Sequence, residues 1–447
     1  MQVFNIGKKM AIKLMAGDIV LFFVALVLSL TIRNGEVPIL YTLLLNIYFF
    51  VPVFALWIVG FFIYNLYGRS TVSAKKNLPT TLFQATALNT LTAVIFFYII
   101  SVQGVTPKTT LILISIISYL LVYAWRVIIW PRVSHRQNEA VLVVGKTPEH
   151  EEIFDELNNN PSMHVVAALY EGKNSEELKA ELKRVHAKVV IVDMRGSHAE
   201  ALFSSFTPEE ILKLRFVNPS WLYEELFGRI PLSHVTNTWL FTHVRYEQKV
   251  YDAFKRIIDV LISFVVGIMS LVFYPFIILA IKLEDGGKIF IKQVRVGQSG
   301  RSIQIIKFRS MTGNDQGKYE GGKSQLHITR VGSFLRASRL DELPQLWNIL
   351  MGDLSVIGPR PELVPLVEQY TKEIPFYPVR HVIAPGLAGW AQLHQINAAT
   401  DPHHGTAVEA TREKLSYDLY YLKHRSLTLD LMVMLRTVQI LLSRPGS

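Results

Sequence analysis

The chain opens on four long apolar runs and then changes character. The runs are Ala11–Ile32, Ile39–Tyr64, Leu82–Val102 and Leu111–Trp130. Each holds about the ~20 apolar residues that a helix needs to cross a bilayer. From Glu139 to Val250 the pattern becomes that of a folded, mixed domain. AVLVVGK (Ala140–Lys146) is a buried-strand run ending in a turn, followed by a polar helix from Pro148 to Asn158, HVVAALYEG, a charged helix and AKVVIVDM. Strand and helix alternating in this way predict a small α/β domain on a parallel sheet. A fifth apolar run, Ile257–Leu283, carries Pro275 two-thirds of the way along. After it, Ile289–Met311 alternates apolar and polar residues around QSGR, which predicts a hairpin. TGNDQGKYEGGKSQ reads as a loop, and from His327 onward the pattern is one of short helices and turns. The last stretch, Leu415–Leu442, is too charged to span and suits helices at the membrane surface. The fold class expected is a mixed membrane protein: a four-helix transmembrane bundle over 1–137, a Rossmann-like α/β domain over 138–250, and an α+β domain over 251–447 with a re-entrant helix at 257–283.

Charge refines the topology. Among 447 residues the formal net charge is +10, and in a membrane protein such an excess collects on the cytoplasmic side rather than pointing to nucleic acid. Lys8, Lys9 and Lys13 precede the first run, Arg69, Lys75 and Lys76 follow the second, and Arg132 and Arg136 follow the fourth. The other two loops carry Arg33 and Lys108 alone. Both ends of the bundle are therefore expected inside. The fifth run has Lys255 and Arg256 at its start and Lys282, Lys288, Lys292 and Arg295 at and after its end. Basic flanks on both sides, with a proline that breaks the helix between them, favour a segment that dips into one leaflet and returns. No cleavable signal peptide is evident in MQVFNIGKKMAIKLMAGD, and the absence of cysteine excludes disulfides and thiolate chemistry.

The α/β segment lacks a dinucleotide fingerprint: after Gly145 comes KTPEHEEI, without the second and third glycines. A structural or assembly role, with a homodimer through this domain, is expected there instead. The chemistry concentrates further on. In SRLDELPQLWNIL (Ser338–Leu350), Asp341 and Glu342 stand side by side. On this stretch alone the simpler explanation is a helix start with Ser338 as N-cap; the alternative is work on a phosphate, and the rest of the chain brings that forward. Around them lie Lys307, Arg309, Arg330, Arg336, Arg339 and Arg360, with Asp353, Glu362 and Asp418 as further acids. Arginine forks and lysine point charges suit phosphate oxygens. Carboxylates suit Mg²⁺ shared with a phosphate ligand. Beside a membrane, this combination suggests phosphoryl transfer from a soluble donor to a lipid. Asp353 in MGDLS reads as a turn residue. His394, His403 and His404 near Asp401 match no standard zinc spacing.

KFRSM, RVGSFLRASRLDELPQLWNILMGDLSVIGPRPE, APGLAGWAQ and YDLYYLKHRSLTLDL, in that order, closely resemble the bacterial sugar transferase family, the monotopic polyprenyl-phosphate hexose-1-phosphate transferases. The likeness runs from Lys255 to Leu442, and the preceding spans and α/β domain resemble the family's long form. It implies a multi-pass protein of the bacterial inner membrane with its catalytic domain on the cytoplasmic face. The reaction implied is transfer of a sugar 1-phosphate, from UDP-glucose or UDP-galactose, to undecaprenyl phosphate with release of UMP, in exopolysaccharide, capsule or O-antigen synthesis. By the same likeness Asp341 is the nucleophile that carries a covalent phosphosugar, and Glu342 supports acid–base work. Both acids would hold Mg²⁺, and Lys307, Arg336, Arg360 and Asp418 are polar partners of the substrate. KYEGGKSQLHITR does not map onto the family pattern. Two rival readings remain: a non-catalytic scaffold of a polysaccharide assembly complex, and a membrane-tethered nucleotide-sugar dehydratase, which would need the glycine-rich loop that is missing.

Overall fold

The structure, a computed structural model, describes residues 6–64, 66–67, 78–99, 107–130, 139–160, 165–172, 174–194, 201–245, 247–312, 319–320, 323–324, 327–398 and 407–443. The chain divides into two compact units, Met1–Leu222 and Tyr223–Ser447.

In the first unit, four helices are long and apolar enough to cross a membrane: Ala11–Asn34, Leu40–Ile63, Leu78–Tyr98 and Thr109–Ile129. They lie within α1 (Ile6–Asn34), α2 (Leu40–Ile63), α3 (Leu78–Ile99) and α4 (Pro107–Ala124), the last running on into a π turn, Trp125–Ile129. The third begins four residues before the expected Leu82, and positions 100–102 lie outside the described residues, as do Arg69, Lys75, Lys76, Arg132 and Arg136. Phe22, Phe54, Trp57 and Phe61 form the aromatic centre of the bundle. Trp57 and Asn89 tie α2 to α3 reciprocally, each side chain donating to the other's backbone carbonyl. At the end of α4, Arg126 pairs with Asp18 of α1, with both side chains almost fully enclosed, and donates to the Leu66 carbonyl at 2.6 Å. Buried charges inside an apolar bundle persist only when paired in this way.

The α/β segment of this unit is a four-stranded, all-parallel sheet. Its strands are β1 (Glu139–Val144), β2 (Val165–Tyr170), β3 (Val189–Ile191) and β4 (Arg215–Val217), in the order β2-β1-β3-β4. α5 (Pro148–Asn159) and α6 (Ser175–Val185) provide crossovers of the kind that parallel strands require. The short α7 (Pro208–Lys213) leads into β4. The continuous apolar runs noted in the sequence are buried, Val141–Val144 in β1 and Val189–Ile191 in β3.

The division between the units falls within α8 (Pro219–Phe227), and α9 (Asn237–His243) belongs to the second. Ile230, Val235 and Trp239 pack with Tyr377, Leu415 and Leu419. Residues 223–250, which follow the α/β pattern in sequence, are thus part of the C-terminal core. The fifth apolar run forms α10 (Lys249–Ser270) and α11 (Tyr274–Asp285), bent by 58° at the break between them. Pro275 sits in the first turn of α11, where its missing N–H costs nothing. Both arms carry large exposed apolar side chains, among them Leu261, Phe264, Met269, Phe276 and Leu283.

Polar clamps root both arms in the unit. On α10, Asp259 accepts from Ser355 Oγ (2.7 Å) and Val356 N (3.1 Å), Arg256 donates to the carbonyls of Ile349 and Leu350, and Lys255 pairs with Asp430 at 2.9 Å. At the end of α11, Asp285 pairs with Arg309, and Glu284 accepts from the N–H groups of Arg330 and Val331. The expected hairpin is present as β5 (Phe290–Val296) and β6 (Ser302–Phe308), with Ser299 and Gly300 at positive φ in the turn. The helices that follow are α12 (Arg330–Ala337), α13 (Gln345–Met351), α14 (Val364–Glu373) and α15 (Trp390–Ala398). In the last stretch, α16 (Ala407–His424) buries Leu415, Leu419 and Leu422 in the core rather than lying on a membrane. Its mixed charge pattern arises from burying polar as well as apolar positions. α17 (Leu427–Ser443) does present an outward apolar face, with Leu431, Val438 and Leu441 exposed.

Candidate active site

The site is assembled from a strand, a turn between two helices and a second turn. β6 supplies Lys307, which faces Ile291 across the hairpin. The chain then passes Arg309 and Ser310 and returns as α12. Thr329 caps α12, its Oγ1 accepting from Gly332 N at 2.9 Å. Gly332 has to be a glycine, because a Cβ there would lie 2.0 Å from the Ser310 carbonyl oxygen. KFRSM and RVG are therefore in backbone contact.

α12 ends at Ser338, which corrects the capping expectation. Ser338 has helical angles (φ −86°, ψ −3°), and its hydroxyl donates back to the Phe334 carbonyl at 2.7 Å. It closes one helix instead of opening the next. Arg339 then takes a left-handed conformation, φ 59° and ψ 14°, a region costly for a residue with a Cβ and often found at functional sites. This reversal starts a 3₁₀ turn, Leu340–Glu342, that places both acids side by side ahead of α13.

The two acids are 8% and 9% exposed, yet their surroundings differ. Glu342 Oε1 accepts from Arg360 Nη2 at 2.8 Å and lies 3.9 Å from Arg339 Nη1. Burial alone would raise its carboxyl. The Arg360 guanidinium and the Lys307 ammonium outweigh burial and hold it below the ordinary range. Among the described residues, no hydrogen bond reaches the Asp341 carboxylate; Lys307, Arg336 and Arg339 act on it only through space. Burial, together with the charge on Glu342, pushes Asp341 up to about 6. Loss of water pushes Lys307 down to about 8, against the pull of Glu342. Adjacent carboxyls whose environments drive them apart are a usual mark of divided chemical roles.

Arg360 reaches the acids from the turn Gly358–Glu362. This turn follows β7 (Ser355–Ile357), which pairs in parallel with β8 (Gly386–Ala388). Gly386 lies so close that a Cβ on it would sit 2.0 Å from Gly358 N. GPRPE and APGLAG are thereby locked together.

Of the site residues expected from sequence, Lys307, Arg336, Asp341, Glu342 and Arg360 come together. Asp418 does not join them. It is 1% exposed and bound to Arg380 (Nε to Oδ2 2.8 Å, Nη2 to Oδ2 2.7 Å) behind the Arg360 turn. Arg380, Lys414 and Glu362 make up the rest of this second cluster: Lys414 pairs with Glu362, and Glu362 Oε1 lies 4.0 Å from Arg380. Arg380, in YPVRH, is the residue that no sequence pattern singles out. The loop that carries Asp401, His403 and His404 lies outside the described residues, as do Lys318, Gly321, Gly322, Gln325 and Leu326 of the stretch that does not map onto the family pattern.

The carboxylate pair fits Mg²⁺. Its donors are hard oxygens, and the Asp341 carboxylate is not committed to another side chain. No group of three or more His, Cys, Asp or Glu able to hold a metal occurs among the described residues.

Residues 250–444 match the sequence profile of the bacterial sugar transferase family. The chain is 37% identical over 197 residues to a UDP-glucose:undecaprenyl-phosphate glucose-1-phosphate transferase of Caulobacter vibrioides, covering 43% of this chain and 71% of the relative. It is 34% identical over 278 residues to a UDP-N-acetylgalactosamine-undecaprenyl-phosphate N-acetylgalactosaminephosphotransferase of Aeromonas hydrophila, covering 60% of this chain and 62% of the relative. A UDP-glucose:undecaprenyl-phosphate glucose-1-phosphate transferase of Klebsiella pneumoniae is 38% identical over 187 residues, 41% of this chain and 39% of its own. The chain thus spans under two thirds of the last two relatives. It belongs to the bacterial sugar transferase family.

Proposed function

We propose that the protein transfers the sugar 1-phosphate of a UDP-hexose to undecaprenyl phosphate and releases UMP, as the first membrane step of exopolysaccharide, capsule or O-antigen synthesis. The observation that carries this reading is the divided acid pair: Glu342 is held charged by Arg360, and Asp341 is left uncommitted beside Lys307, Arg336 and Arg339. In the first step an Asp341 carboxylate oxygen attacks the sugar-linked phosphorus. The bond from that phosphorus to the bridging oxygen breaks, and the electron pair leaves with UMP. In the second step a phosphate oxygen of the lipid attacks the same phosphorus. The acyl-phosphate bond breaks and the Asp341 carboxylate returns, leaving the sugar on a polyprenyl diphosphate. No proton has to move in either substitution. Lys307, Arg336 and Arg360 offset charge on the transferred phosphoryl group. Mg²⁺, held by Asp341 and Glu342 with the donor's diphosphate, would supply further charge neutralisation.

The bent pair α10–α11 is read as re-entrant, because basic residues flank it on both sides and polar clamps hold both roots to one unit. On this reading the site lies on the cytoplasmic face of the inner membrane, where UDP-sugars are made. UDP-glucose or UDP-galactose is the expected donor. The relatives' names widen the panel to UDP-N-acetylgalactosamine.

The test is a donor screen. Purified protein in nanodiscs receives Mg²⁺, undecaprenyl phosphate and each UDP-sugar in turn, and UMP release is read. Release that needs the lipid phosphate, accepts one donor and vanishes in Asp341→Asn supports the reading. Folded protein that releases UMP with no donor refutes it and returns weight to the scaffold.

A further inference from the structure

The segment that presents Arg360 is held in an unusual way. Four successive carbonyls accept hydrogen bonds from four different places. Pro359 O accepts from Gly386 N (2.9 Å), Arg360 O from Arg380 Nη2 (3.2 Å), Pro361 O from Arg295 Nη1 (3.3 Å) and Glu362 O from Val296 N (3.0 Å). Two of the four donors are backbone groups fixed by strands. The other two are side chains, and Arg380 is the more confined, with none of its side chain exposed.

Every arm of that guanidinium is engaged. Nε and Nη2 hold Asp418, Nη2 also reaches the Arg360 carbonyl, and Nη1 donates to the Tyr377 hydroxyl at 3.2 Å and faces Glu362. Buried ion pairs rarely add net stability over apolar packing, but they fix geometry. The only backbone group outside the cluster to which Arg380 donates, among the described residues, is the carbonyl of the arginine that holds Glu342.

We propose that Arg380, oriented by Asp418 and Tyr377, is a positioning residue that acts on the transfer reaction through Arg360. The inference rests on the transfer reading above. It gives Asp418 a role one step removed from the substrate: Asp418 holds Arg380, Arg380 holds the Arg360 backbone, and Arg360 holds Glu342 beside Asp341. A small slip of Arg360 moves its guanidinium away from Glu342 and out of line with the transferred phosphoryl group, which costs turnover rather than donor binding.

The test compares full-length wild type with Arg380→Lys, Tyr377→Phe, Arg360→Lys and the double variant Arg360→Lys/Arg380→Lys, by the kcat and KM of UMP release. Arg380→Lys keeps the charge and loses the planar fork. It is expected to lower kcat roughly 10–100-fold and leave KM for the UDP-sugar within about threefold. Tyr377→Phe, which removes one hydrogen bond, lowers kcat by less with KM equally spared and decides the matter if Arg380→Lys does not fold. In the Arg360→Lys background, Arg380→Lys lowers kcat no further. An unchanged kcat in both Arg380→Lys and Tyr377→Phe, or losses that simply multiply with that of Arg360→Lys, overturns the inference and leaves the transfer reading standing. Absence of lipid-dependent UMP release in wild type overturns both.

Discussion

Replacing Asp341 by asparagine removes the proposed nucleophile and should make the protein more stable. In the folded unit the carboxyl is pushed up to about 6, from an ordinary value near 3.8. A raised carboxyl binds its proton more tightly in the folded state than in the unfolded chain. Between about pH 4 and 6 the folded state therefore keeps a proton that the unfolded chain has lost, and stability falls as pH rises through that window. The difference of about two units, at ~1.4 kcal/mol each, is about 3 kcal/mol of cost carried by the charged form at neutral pH. Asparagine has nearly the same shape and no charge, so that cost disappears. For a unit the size of Tyr223–Ser447, this is a rise in Tm of up to about 6–12 °C. The assay is thermal unfolding in detergent with chelator and without donor, because a bound cation would reverse the electrostatics. The gain should be near zero at pH 4, grow through pH 6 and level off above it. A gain that does not change with pH, or a variant less stable than wild type at pH 7.5, would refute the claim that Asp341 pays for its position in folding energy.

Three further outcomes are expected. The kcat/KM profile of wild type should be a bell with limbs near the values to which Asp341 and Lys307 are pushed, about 6 and about 8; Lys307→Arg, which stays charged, should lift the alkaline limb past the range of the assay. Gly386→Ala should cut turnover at least about tenfold in protein of normal helix content by circular dichroism, because its Cβ would force β7 and β8 apart. In the bundle, Asp18→Leu or Arg126→Leu alone should each cost roughly 3–5 kcal/mol by leaving one buried charge unpaired, whereas the double replacement should come close to wild type in detergent melting curves.

The long-range plan of the chain was legible where a pattern repeats over many residues. The four apolar helices, the parallel sheet and the β5–β6 hairpin all rest on runs whose period or length admits few alternatives. Local chemistry misled where one short pattern serves two ends of a helix. Ser338 followed by Asp341 has the spacing of a capping box, but the serine closes α12, and only the left-handed Arg339 tells the two cases apart. Arg380 left no trace in the sequence, since its partner Asp418 is 38 residues away and neither belongs to a periodic run. The burial of Asp418 was hidden for the same reason: α16 carries charges on its enclosed as well as its open face, and composition cannot separate them.

The turn around Arg360 also bears on donor choice under the transfer reading. Each of its carbonyls from Pro359 to Glu362 already accepts one hydrogen bond from the protein, and two of its four residues are prolines with no N–H to give. Its distinctive offering is therefore the Arg360 guanidinium, and a guanidinium reads anions. Such a group suits the diphosphate common to every nucleotide sugar and does not distinguish the configuration at C2 or C4. A transplant of this turn between relatives with different donors should accordingly leave each recipient's preference unchanged.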